Sequence, residues 1–146
     1  MGHVHRAFFN TTKEVDIYNA SHDLKRALAD SKATSGLITV MLPQAAGAVT
    51  VLENDPEIRQ EIKKYLLELF PNNSKTRPVR KSGSGSIEAH LRGAFLQSSA
   101  VIPFHEGRLL LGAWQEVVAF DFDDKIGRRE ILFHVMGEAA PQAGAK

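Results

Sequence analysis

The chain has 146 residues, 43% hydrophobic and 24% charged, which is enough for one packed domain and argues against disorder of the whole. A net charge of +1 excludes a nucleic-acid binder working through a broad basic face, and the lack of cysteine excludes disulfides, thiolate metal sites and cysteine nucleophiles. No run approaches the roughly 20 apolar residues of a membrane span. The opening stretch carries His, Arg, Asn and Lys too early for a signal peptide, so a cytoplasmic, soluble protein is expected.

Residues 4–11 (VHRAFFNT) and 14–20 (EVDIYNA) read as short strands, and Ser21 as the N-cap of a helix with Leu24, Ala27 and Leu28 on its apolar face. Gly36 stands where that helix would end or turn. The continuous apolar run GLITVML predicts a strand buried on both faces. After a QAAG turn, AVTVLE alternates, with Val49 and Val51 facing one way and Ala48, Thr50 and Leu52 the other.

Asp55-Pro56 opens the clearest helix, an acid N-cap followed by Pro at the first helical position. Ile58, Ile62, Tyr65, Leu66 and Leu69 predict its buried stripe, and Pro71 its end. Residues 71–86 form a long loop rich in Ser, Gly, Asn and Pro, in which Arg77, Arg80 and Lys81 are candidates for holding phosphate against a default of solvated charge. Ser86 can cap a short helix with Ile87, Leu91, Ala94 and Phe95 on its apolar side.

Strands follow at 99–104, 109–123 and 128–137, joined by turns at HEGR and DKIG. The order predicts a single α+β domain over residues 1–137, with a mixed, curved, largely antiparallel sheet and two or three helices. Residues 138–146 are expected to be a disordered tail.

Glu53 closes the run AVTVLE just before the Asp-Pro helix start, and the pattern leaves two readings open. A sheltered carboxylate there can do acid–base work; a solvent-facing one merely sits well beside a helix N-terminus. His90 lies on the polar edge of the short helix, either as a surface histidine or as a group that titrates near neutrality. His3 and His5 alternate on a strand and are weak chelation candidates. Arg128 and Arg129 stand at the start of the last strand and can hold a phosphate or guard an edge. Trp114 is expected in the core or as a pocket wall rather than as a stacking platform, though beside Gln115 it can line a heterocycle site.

Three strings, AVTVLENDPEIRQEI, EAHLRGAFLQSSAVIPF and GRLLLGAWQEVVAFDFDD, resemble in order the YjbQ family of secondary thiamine-phosphate synthase enzymes. The resemblance runs from about Val15 to Gly137, and its most specific piece lies at Gly107 to Gln115. It implies the α+β fold, a homotrimer with sites near subunit boundaries, and a weak joining of a hydroxymethylpyrimidine diphosphate to a thiazole phosphate with release of pyrophosphate. That resemblance carries over Glu53, His90, Trp114 and Gln115; the leading reading makes Glu53 and His90 the acid–base pair and Gln44 and Gln115 hydrogen-bonding positioners, with Trp114 and Arg128 as further binding candidates.

The chain departs from the family pattern where His-Thr-Thr is replaced by Gln44, Ala45 and Ala46, where Leu52 stands for Asn, and where Ser86 stands for Asn. The family's Tyr-Arg-His-Asp segment has no match in KTRPVRKSGSG. The lost histidines leave His90 and Glu53 without a third metal ligand unless Gln44, His105 or His134 serves, so no resident metal is expected. Mg²⁺ arriving with a diphosphate substrate is the cofactor that the chemistry allows. The alternatives are a non-catalytic trimeric ligand-binding or structural protein and a metal-assisted hydrolase. The expected partners are a phosphorylated small molecule and further copies of the chain, with no nucleic acid and no membrane.

Overall fold

Residues 2–12, 15–71, 86–123 and 125–139 are described by the computed structural model. Among the described residues eight strands and three helices follow one another as β1 (Gly2–Asn10), β2 (Asp16–Asn19), α1 (Ser21–Ser31), β3 (Ala33–Met41), β4 (Gly47–Glu53), α2 (Pro56–Leu69), α3 (Ile87–Leu96), β5 (Ser99–His105), β6 (Arg108–Leu109), β7 (Gln115–Asp121) and β8 (Arg128–Ala139). They form a five-stranded sheet in the order β1-β8-β3-β5-β6 and a three-stranded sheet in the order β2-β7-β4. Every pairing among the described residues is antiparallel.

Side-chain alternation on β7 explains the layering. Val117 and Ala119 join α1 and the inner face of the large sheet in one core, with Ile38, Val40, Phe104 and Phe133. Val118 and Phe120 point the opposite way and pack, together with Phe122 just past the strand, on Leu66 of α2 and Ala89 of α3. The small sheet is therefore a middle layer, buried on both faces. On β4 the expected split holds: Val49 and Val51 face the first core, Ala48 and Leu52 the second.

The run in β3 is not buried on both faces. Ile38 and Val40 are inside, but Leu37 is 50% exposed, because no layer covers the outside of the large sheet among the described residues. Val4, Phe8, Met41, Val101 and Met136 share that outer surface. Gly36 also has a different job from the one its position suggested. Lys32, at φ +60°, ends α1, whereas Gly36 lies inside β3 at φ +154°. A Cβ there would stand 2.0 Å from the Met136 carbonyl oxygen, so only glycine fits.

The helix ends are partly as read. Asp55 caps α2 by accepting from the Glu57 N–H at 2.9 Å, and Ser86 caps α3 by accepting from the Ala89 N–H at 3.1 Å. Ser21 is instead the first residue of α1, and its hydroxyl accepts from the Val117 N–H at 3.0 Å, tying the helix to β7. Of the stripe expected on α2, Leu66 is buried and Ile58 and Ile62 are half-buried, while Tyr65 and Leu69 are exposed.

On α3 the expected face is reversed. Glu88, Ala89, Arg92 and Gly93 are buried; Ile87, Leu91, Ala94 and Phe95 face outward. The cause is a close approach to β4, where a Cβ on Gly93 would already meet the Gly47 carbonyl oxygen at 3.0 Å. Only the helix's small-residue side can come that near, and Arg92 fits beside it by donating to the Phe70 carbonyl at 2.5 Å.

The single strand expected over 109–123 is interrupted, with 110–114 leaving the sheet between β6 and β7. Glu106 and Gly107, at φ +50° and +72°, form the tight hairpin turn between β5 and β6. β8 continues past its expected end, since Glu138 and Ala139 pair with Ser35 and Ala33. The remaining tail from 140 onward lies outside the described residues, as do Arg77, Arg80 and Lys81.

Candidate functional site

The middle sheet presents a different site at each of its ends. At one end β4 finishes on Glu53, which pairs with Gln115 at the start of β7. An open cleft of about 540 Å³ begins here, lined by Lys25 of α1, Glu53, Asn54, Trp114, Gln115 and Glu116 among others. Three of the sequence-nominated residues, Glu53, Trp114 and Gln115, thus share one cleft.

Most of the cleft's polar groups are already engaged. Gln115 accepts from the Gly112 N–H at 2.8 Å through Oε1, which holds the 112–115 turn and sets Trp114 on the rim. Glu116 accepts from the amides of Asn19 and Asn54, each at 2.8 Å, and Arg59 donates to Asn54 at 2.7 Å. The Glu53 carboxylate makes no hydrogen bond or ion pair among the described residues, so it is available to a ligand. Trp114 is 77% exposed, which makes it a rim platform rather than a core residue.

At the other end lies a smaller cavity of about 280 Å³, lined by Gln44, Ala45, Asp121, Asp123, Arg128 and Arg129. Asp121 is 1% exposed, and its Oδ1 accepts from Arg129 Nε at 3.1 Å. Arg129 also approaches Asp123 at 3.9 Å and donates to the Lys125 carbonyl. Burial pushes the Asp121 carboxyl above its usual range, and the Arg129 guanidinium only partly offsets this. Arg128 lies 3.9 Å over the Phe8 ring, a cation–π contact on the outer face of the large sheet.

Two acceptors here have no partner: Asp121 Oδ2 and Gln44 Oε1 are both buried and accept no hydrogen bond. Leaving such a group unmade costs about 1–3 kcal/mol.

His90 lines neither site. It sits in the second turn of α3, half-buried. Gln97, past the end of that helix, accepts from Val49, and Gly93 touches Gly47, so the turn carrying His90 lies beyond the Gly47 end of β4. Glu53 is at the opposite end, six strand residues or roughly 20 Å away. One chain by itself does not bring Glu53 and His90 into a common cleft.

The other histidines are scattered. His105 contacts Ser35 at 3.3 Å and Glu106 at 3.8 Å, and His134 is on the outer sheet face. No three His, Asp or Glu side chains converge for a metal ion among the described residues.

Sequence reasoning passed over Asp121 and read Arg129 only as a phosphate candidate, not as its ion-pair partner. The signal was an acid inside the apolar run VVAFDF, in phase with inward-facing Val117 and Ala119, with two arginines waiting after the next turn.

These features define a small α+β protein with an acidic cleft and a smaller, charge-paired cavity at opposite ends of one buried sheet. The chain belongs to the UPF0047 protein YjbQ-like family, whose model matches residues 5–138. It is 27% identical over 128 residues to a UPF0047 protein of Synechocystis, covering 87% of each chain. It is 25% identical to the UPF0047 protein YjbQ of Escherichia coli O157:H7, covering 88% of this chain and 94% of that one. Its fold matches a YbjQ-like protein of unknown function from Sulfolobus solfataricus with a TM-score of 0.85 at 18% identity, over 94% of this chain and 99% of the other. No described helix is long and apolar enough to cross a membrane.

Proposed function

We propose that the protein is a small-molecule enzyme resembling thiamine-phosphate synthase, joining a pyrimidine diphosphate to a thiazole phosphate. The reaction forms a bond from the thiazole nitrogen to the pyrimidine's methylene carbon as the carbon–oxygen bond to the diphosphate breaks, and pyrophosphate leaves with the electron pair. The observation that supports this is the unengaged Glu53 carboxylate in a cleft walled by Trp114 and Gln115, in a chain of this family.

In this reading Trp114 offers a ring face to a heterocycle, and Gln44 and Arg128, which lie at the far end of the sheet, contribute contacts from the second cavity of a neighbouring copy. Glu53 is the only carboxylate of the cleft's described acids without a set hydrogen bond, since Asp55 caps α2 and Glu116 holds two amides. That suits a Mg²⁺ ion, which takes one or two protein carboxylates beside substrate phosphates and would neutralise the leaving diphosphate.

Pairing Glu53 with His90 requires a second copy. The homotrimer is supported by the uncovered outer face of the large sheet, where Val4, Leu37, Val101 and Met136 stand exposed. Mixing pure protein with both precursors and Mg²⁺ should yield thiamine phosphate, with Glu53→Gln and His90→Ala each lowering the rate at least about tenfold. Absence of product, or variants as fast as the parent, defeats the proposal.

A second reading is a trimeric binding protein without catalysis. It is favoured by Gln44, Ala45 and Ala46 standing where a reactive His-Thr-Thr loop would be. Thermal shifts with the same precursors and no turnover would select it.

A further inference from the structure

One side of α1 is apolar at its centre and basic at its end, and the chemistry assigned to Glu53 leaves it unused. Ser21, Lys25, Leu28, Ala29 and the cap residue Lys32 recur at the spacing that sets them in line along that side. Ser21 and Lys25 wall the Glu53 cleft, whereas Lys25, Leu28, Ala29 and Lys32 wall a neighbouring groove of about 450 Å³. The facing wall of the groove is Gly107, Arg108 and Leu109. Lys25 and Leu109 line both spaces, so groove and cleft adjoin. The 11 residues of α1 make the shared wall about 16 Å long.

Charge runs one way along this wall. The Gly107 N–H donates to the Thr34 carbonyl at 2.9 Å, which pins the β5–β6 turn, and Arg108 with it, beside the end of α1. Lys25, Lys32 and Arg108 make no side-chain hydrogen bond or ion pair among the described residues, and no acid lines the groove. Three cations outweigh the roughly half negative charge at the end of a helix. Glu53, Asp55 and Glu116 gather at the opposite end, in the cleft. An anionic group is therefore drawn to Lys32 and Arg108 and repelled from the Glu53 end. Between them lie Leu28, Leu109 and Leu111. No aromatic ring lines the basic groove, so its apolar surface suits a chain rather than a stacked ring.

We propose that the groove binds a free, single-chain amphiphile with an anionic head. Lys32 and Arg108 hold the head, and the chain lies over Leu28, Ala29 and Leu109 toward Trp114. Binding needs no turnover at Glu53, so the site stands apart from the transferase reading.

Trp114 is the only tryptophan and stands exposed on the rim of the cleft, where it reports arrival of the tail. Dodecanoate should move its emission to the blue saturably, and butanoate, with the same head, should not. Dodecyl phosphate should act like dodecanoate. Dodecyltrimethylammonium, with the head charge reversed, should bind at least about tenfold more weakly. Arg108→Glu should weaken dodecanoate binding about tenfold, and Ala29→Phe, on the exposed side of α1, should block it.

Equal affinity for the cationic amphiphile overturns the proposal, as does parent-like affinity in Arg108→Glu. So do ¹⁵N-detected shifts that place dodecanoate on the outer sheet face at Leu37 and Val101, or the lack of saturation by about 1 mM. If a variant fails to fold, the paired probes on the parent protein decide. A failed thiamine-phosphate assay leaves the site standing, because none of these readouts involves turnover.

Discussion

The two ends of the β4–β7 ladder hold acids in opposite circumstances. Glu53 is exposed and unpaired beside Gln115, whereas Asp121, opposite Gly47, is buried and tied to Arg129. The same two strands supply both, so neither strand chemistry nor residue type sets the difference. Covering layers do. α3 comes within van der Waals reach of the Gly47 end, while the Glu53 end opens past α1 into a cleft. A carboxylate in water is ready for a ligand at little cost; one out of water must be held by a partner or a proton.

Removing Arg129 should break this contrast most strongly. Arg129→Leu strands Asp121 in the interior and should cost about 3–5 kcal/mol in urea unfolding at pH 7. The sign of its pH dependence is set by the raised Asp121 pKa: the folded chain holds that proton more tightly than the unfolded one. Stability from this group is therefore greatest below the unfolded value of 3.8 and is lost as pH rises through the native value. The variant's deficit should accordingly shrink toward pH 4. An equal deficit at both pH values would mean that Asp121 is not the group left stranded.

Next in size, Gly93→Val should push α3 off β4 at a cost of about 1–3 kcal/mol. Faster hydrogen exchange should be confined to the Gly47 end, with the Val49 N–H, bonded to Gln97, the reporter. Asp55→Ala, which removes the α2 cap near the open end, should cost about 1 kcal/mol. Smallest of all, Glu53→Gln should leave stability within about 0.5 kcal/mol of the parent. A large loss there would show that Glu53 is a structural acid like Asp121 and would erase the contrast.

Much of the fold was legible because strand and helix periods are local. The Asp55-Pro56 start, the Ser86 cap and the β4 alternation needed only neighbouring residues. What stayed hidden depended on partners distant in sequence. The apolar run in β3 carries no mark that one face would lack a cover. α3 turned its leucine and phenylalanine outward because Gly47, some forty residues earlier, let Gly93 come close. The Glu53 cleft could be named residue by residue, as Glu53, Trp114 and Gln115 show. The second cavity could not, since Gln44 and Asp121 meet only after three strands are in register.

The placement of β8 has a consequence for how the molecule comes together. Residues 2–10 find all their ladder partners in residues 128–136, and β3 takes the other edge of that same strand. Residues 2–10 must therefore wait until residues 128–136 have been made before their amides are paired. Loops that long close slowly, which puts this chain among the slow folders, on the millisecond-to-second scale. During that wait the exposed amides of residues 2–10 are the natural place for a chaperone to hold, or for aggregation to begin.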